Sequence, residues 1–181
     1  MTTKNKKVDR RTLYTINVIK EAFLKILRQK PFNQMTIVEI CREAEITRST
    51  FYLHFDSLSD LLNAIIDDAL ELSPSMVDQT PTSESLVPAC QRLGESSKYQ
   101  HLFMEPDLSE YIIGRVIQRE KARMIPKIMH NMEVNEQDAE TIFIYSIHGS
   151  FAINRKHHFQ RTPQWQHDME LLNNIMKKDK G

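Results

Sequence analysis

Two threonines fix where helices begin in the first third of this chain. Thr36 precedes the run Ile37, Ile40, Cys41 and Ala44, and Glu39 follows it three residues later. That is capping-box spacing, in which a hydroxyl and a carboxylate reciprocally satisfy backbone N–H groups. Thr47 stands in the same capping position before a second short segment, Arg48 to about His54, with Glu45-Ile46 as the turn between them. Upstream, Ile16, Ile19, Phe23, Ile26 and Leu27 recur at three- and four-residue spacing and give one apolar face. Pro31 stops that helix. Three helices, the last two short and closely spaced, describe a helix-turn-helix over about residues 36–55.

The remainder reads as helix as well. After a break at Asp56-Ser57, Leu58, Leu61, Leu62, Ile65, Ile66 and Ala69 form the next apolar face. Ser73 to Ser85, rich in Ser, Thr and Pro, reads as a loop. Further helices are expected near 84–97, 107–123, 126–132, 136–158 and 163–178, with Pro106, Pro126 and Pro163 close to helix starts. Only four glycines occur, none in a phosphate-cradling pattern. The expectation is an all-α protein. It comprises a flexible basic arm (1–9), a three-helix helix-turn-helix DNA-binding domain (10–56), and a C-terminal helical bundle (57–181).

Charge supports that division. The net charge is zero, but residues 1–55 hold 11 Lys/Arg against 5 Asp/Glu (+6), and residues 56–181 hold 13 against 19 (−6). A basic N-terminal module suits a phosphate-bearing partner. Cys41 and Cys90 lack zinc or disulfide-framework spacing, Cys41 reads as a small core side chain, and a reducing cytoplasm fits. No apolar run approaches the ~18 residues of a membrane span, and none resembles a leader peptide. The histidines at 101, 130, 148, 157, 158 and 167 show no HExxH spacing and read as surface residues; no nucleophile pairs with a base. No catalytic residue, metal site or cofactor is expected.

The second short helix carries an unusual surface. With Phe51 packed inward, Arg48, Ser49, Thr50, Tyr52 and His54 are left outside, suited to base edges and phosphates. An ordinary surface helix carries longer Glu and Lys chains.

The stretch Thr36-Ile37-Val38-Glu39-Ile40-Cys41 through Phe51-Tyr52-Leu53-His54-Phe55, followed by Leu61-Leu62, resembles the DNA-binding domain of TetR-type regulators over roughly residues 10–70. The F-Y-x-H-F segment is the most specific part. Two positions depart from the pattern. Glu45 replaces the usual turn glycine, so it must tolerate a left-handed or bridging conformation. Leu58 stands where the family usually places a phosphate-contacting lysine. The resemblance implies that Arg48 reads base edges, that Thr47, Ser49 and Thr50 touch bases or nearby phosphates, and that Tyr52 and His54 hold the backbone. It also implies that Thr36 presents a helix N-terminus to a phosphate, and that Lys4, Lys6, Lys7, Arg10 and Arg11 lie along the adjacent groove. The alternative for the arm is a solubilising tail.

One three-helix module reads one half-site, so a homodimer on a palindromic double-stranded DNA operator is expected. The resemblance places the dimer interface on the last two long helices, at Tyr145, Ser146, Gly149, Ile153, Trp165, Met169, Leu172 and Met176. Gly149 alternatively relieves crowding inside one chain. The resemblance further implies an effector pocket, with Tyr99, Phe103, Met104, Tyr111, Ile112, Arg115 and Met124 as candidates, although the same residues suit a plain core. A small molecule or a protein coregulator fills the effector role, and repression is the family's common mode. The C-terminal pattern faintly resembles regulators of dihydroxyacetone-kinase operons. A rival reading keeps the fold as a protein–protein interaction module with weakened DNA binding.

Overall fold

The computed structural model describes residues 10–72 and 98–176, the side chains of Asn173, Ile175 and Met176 excepted. The arm residues Lys4, Lys6 and Lys7, the loop 73–85, the expected helix near 84–97 with Cys90, and the interface candidate Met176 therefore lie outside what is described. Among the described residues every regular element is helical. The chain divides into two compact units, Met1–Asp67 and Asp68–Gly181.

The first unit contains α1 (Arg10–Leu27), α2 (Ile37–Glu43), α3 (Arg48–Tyr52) and the start of α4 (Leu58–Leu72). Its core is built from the side chains whose spacing announces them: Ile19, Phe23, Ile40, Phe51, Leu61 and Ile65 are all fully buried. Cys41 is buried among them as a small apolar side chain, and burial raises its thiol pKa while Arg48 pulls it the other way. The ends of these helices are closed by side chains. Ser57 accepts the Asp60 N–H at 3.1 Å, and the Asp60 carboxylate accepts the Asp56 N–H at 3.1 Å, which starts α4.

The second unit contains α5 (Gln100–Met104), α6 (Ser109–Met132), α7 (Glu136–Lys156) and α8 (Pro163–Met176). The expected break between two helices at Pro126 is not there: α6 runs through it. A proline inside a helix removes one N–H and costs roughly 3 kcal/mol. Met124, Ile125 and Ile128 continue the buried stripe across it, and at about 1.5–3 kcal/mol for each fully buried large side chain their burial outweighs that cost. Arg155 at the end of α7 donates to Ser109 Oγ (2.5 Å) and to the Met104 carbonyl (3.1 Å), tying the α5–α6 junction to α7.

With so few glycines, the chain ends its helices on other residues. Glu45, Glu133 and His158 all occupy the left-handed position just past a helix, at φ 53, 53 and 51, where glycine is favoured. Phe159, one residue beyond His158, is also left-handed at φ 56. A non-glycine residue held in this region costs on the order of 1–2 kcal/mol.

Candidate nucleic-acid interface

The turn between α2 and α3 follows from Glu45. The Ile46 N–H reaches back to the Cys41 carbonyl (2.9 Å) and the Glu45 N–H to the Arg42 carbonyl (3.3 Å), a Schellman closure with glutamate in the glycine position. The sequence reading anticipates this left-handed residue.

Both caps form. Thr36 accepts the Glu39 N–H (3.3 Å), and the Glu39 carboxylate accepts the Thr36 N–H (3.0 Å) and the Thr36 hydroxyl (2.7 Å). Lys30 Nζ closes on both oxygens of that carboxylate at 2.6 Å. These bonds, Lys30 first and Thr36 second, hold the Glu39 pKa down at about 2. The Thr36 hydroxyl is thus already engaged, and a carboxylate sits on the turn where a phosphate was expected, neutralised by Lys30. Thr47 accepts the Thr50 N–H (3.2 Å) and shares a hydroxyl–hydroxyl bond of 2.9 Å with Thr50, which stiffens the start of α3.

The aromatic run then sets the outer face. Phe51 is fully buried and Phe55 nearly so, their rings 5.8 Å apart. Tyr52 leans edge-on against Phe51 at 5.5 Å, which fixes its ring while leaving it exposed. Arg48 and Ser49 are exposed, and Thr50 and His54 half-buried. Arg48, Ser49 and Tyr52 are exposed as expected, whereas Thr50 and His54 are partly covered. Arg10 and Arg11 belong to the first turn of α1 and not to an arm; both are exposed, and that turn has no acidic residue. Leu58 is half-buried at the start of α4.

Sequence reasoning assigned no role to Leu53, which is 79% exposed beside Tyr52 and His54. Its signal was available: an apolar residue at the end of a helix whose inward positions are already filled by Phe51 and Phe55.

The C-terminal candidates separate. Tyr99, Phe103, Ile112 and Met124 are buried, Met104 and Arg115 half-buried, and Tyr111 exposed. Of the interface candidates, Ile153, Trp165, Met169 and Leu172 pack on each other within one chain. Among the described residues, a methyl group on Gly149 would meet Leu172, at 3.5 Å, an ordinary contact. Ser146 is buried and donates to the Ile142 carbonyl at 2.6 Å. Tyr145 is 52% exposed, and Ile144 beside it and Leu171 on α8 are exposed too.

His157 is not a surface histidine: its side chain is 10% exposed, and its Nε2 lies 2.9 Å from Asp168. Lys156 (2.7 Å) and Gln164 (3.0 Å) donate to the same carboxylate, and with His157 they hold the Asp168 pKa far below the usual carboxylate range. Among the described residues no group of three or more His, Cys, Asp or Glu is placed to hold a metal, and no helix is long and apolar enough to cross a membrane.

Comparison with known proteins agrees with this geometry. Residues 19–65 match the family described as bacterial regulatory proteins, tetR family. The uncharacterized HTH-type transcriptional regulator YxbF of Bacillus subtilis (strain 168) is 38% identical over 64 residues, 35% of this chain and only 17% of that protein's length. Among solved structures, a TetR-like transcriptional regulator from Rhodococcus sp. RHA1 superposes with a TM-score of 0.60 at 19% identity, covering 89% of this chain and 92% of that one. The dihydroxyacetone kinase operon activator DhaS superposes with a TM-score of 0.55 at 15% identity, covering 91% and 95%. The second unit is thus similar to these proteins in fold alone. Over residues 19–65, its N-terminal module is similar to the tetR family of bacterial regulatory proteins.

Proposed function

We propose that this chain is a sequence-specific DNA-binding transcriptional regulator, acting as a homodimer on a palindromic operator in the cytoplasm, and not an enzyme. The observation that carries this reading is α3. Buried Phe51 and Phe55 leave Arg48, Ser49 and Tyr52 exposed, and His54 partly so, beside a short, doubly bonded cap. Arg48 pairs with guanine O6 and N7, Ser49 and Thr50 meet neighbouring base edges, and Tyr52 and His54 grip the backbone. Leu53 adds an apolar contact to a sugar or a thymine methyl. Arg10 and Arg11, exposed in the first turn of α1, offer two cations to a neighbouring phosphate.

Dimerisation uses the exposed side chains Ile144, Tyr145 and Leu171 of α7 and α8, beside the small residues Ser146 and Gly149. A small ligand acting on the second unit controls operator affinity, with repression as the default output. Likeness to the activator DhaS is a likeness of fold and does not decide the sign.

The experiment is a random-oligonucleotide selection with purified protein, followed by titration of the selected site at two salt concentrations. A palindrome and a steep loss of affinity with salt are expected, since phosphate contacts release counterions. No enriched sequence would leave the chain as a protein–protein module on the same fold.

A further inference from the structure

Asn154 is fully buried, yet only half of its amide is used. Its Oδ1 accepts the indole N–H of Trp165 at 2.9 Å, whereas Nδ2 has no protein partner among the described residues. A buried donor is expensive to leave unmade, so its retention calls for an acceptor. Its surroundings are aromatic. Phe151 lies one helical turn earlier on the same buried face of α7. The ring of Phe159 meets Phe151 edge-on at 5.9 Å and Phe103 at 5.9 Å, and the Phe159 N–H donates to the Asn154 carbonyl at 2.8 Å.

Phe159 is held there by backbone that L-residues avoid. His158 occupies the usual left-handed position after a helix, but Phe159 extends that conformation by a second residue, which no cap requires. Gln100 Nε2 pins the turn by donating to the His158 carbonyl at 2.8 Å. A residue in a strained conformation thus places its ring against Phe151, one turn from the residue that carries the unpaired amide.

We propose that this end of the second unit is a binding site for a small, flat, apolar ligand carrying one hydrogen-bond acceptor. The ligand's ring takes the place of the Phe159 ring between Phe103 and Phe151, and Asn154 Nδ2 donates to its acceptor. Phe159, once displaced, leaves its left-handed conformation, so relief of strain favours binding. A site built around a buried donor selects against the same shape lacking the acceptor. The proposal rests on the reading that a small ligand acts on this unit. It is tested without DNA, so that loss of this site and loss of operator binding are separate results.

The test uses the full chain labelled with nitrogen-15 and two probes, acetophenone and α-methylstyrene, which differ only in a CH2 group where the ketone oxygen stands. Trp165 is the single tryptophan, so its indole N–H gives one resonance to follow beside the Asn154 amide. Saturable shifts at both groups are expected, with acetophenone preferred on the order of tenfold. Phe159→Ala, which clears the slot, binds acetophenone more tightly, and Asn154→Leu abolishes the preference between probes. Because Asn154→Leu also strips Trp165 of its acceptor, Phe159→Ala and the wild-type ratio decide the matter if that variant does not fold. No saturable shift in either wild type or Phe159→Ala overturns the proposal, as a trapped water on Nδ2 would require. Equal affinity for the two probes in wild type overturns it as well.

Discussion

The two units put their polar side chains to opposite uses. In the first, α2 and α3 are 7 and 5 residues long, and their buried aromatic and aliphatic residues push Arg48, Ser49 and Tyr52 outward. In the second, α6 and α7 are 24 and 21 residues long, and much of the chemistry is turned inward: Arg155, Asn154, His157 and Asp168 all bond within the chain. A short helix cannot hold itself together by propensity, so its ends must be closed by visible signals. A long amphipathic helix needs no such signal and can spend polar groups on its own packing. Polar side chains are therefore exposed along α3 in the first unit and bonded within the chain in the second.

That contrast can be broken experimentally. The largest effect is expected from Phe51→Ala, which empties a fully buried site and should cost about 3–5 kcal/mol, read by thermal unfolding. If the first unit melts with the second unit unaffected, the two are separately stabilised. Arg48→Ala should leave stability unchanged and weaken operator binding by about 1–3 kcal/mol, with relaxed preference at one base pair. Unchanged affinity and selectivity would remove Arg48 from the reading face. Gly149→Ala should stabilise the chain by roughly 0.5–1 kcal/mol, because alanine is the better helix former and the added methyl meets Leu172 only at ordinary distance. A weakened dimer in sedimentation instead would mean that a partner helix lies against Gly149. Glu45→Gly should gain about 1 kcal/mol by relieving the left-handed turn.

The smallest effect is acid dependence. Glu39 has its pKa lowered from 4.5 to about 2 in the folded state, so its contribution is complete above pH 4.5 and is lost as pH falls toward 2. Glu39→Gln should flatten that acid limb of stability, measured by denaturant unfolding from pH 5 to pH 2.

The difference between the units also explains what could be read in advance. Thr36, Glu39 and Thr47 announced their caps, and F-Y-x-H-F announced both the buried and the outward residues of α3. Glu45 was legible as a strained turn because a glycine was missing where one belongs. Pro126 misled, because a local rule against proline in helices gave way to the burial of Met124, Ile125 and Ile128. His157 misled for a related reason. Its partner Asp168 lies on another helix, and nothing in the spacing of either residue shows the pairing. Leu53 was overlooked because exposure, unlike periodicity, depends on where the next element turns.

Pro126 carries one consequence more. Lacking an N–H, it leaves the Ala122 carbonyl without the usual helical donor, toward the C-terminal end of the longest helix described. A helix with one bond missing from its ladder bends most readily at the gap, so a change of angle within α6 costs least between Ala122 and Pro126.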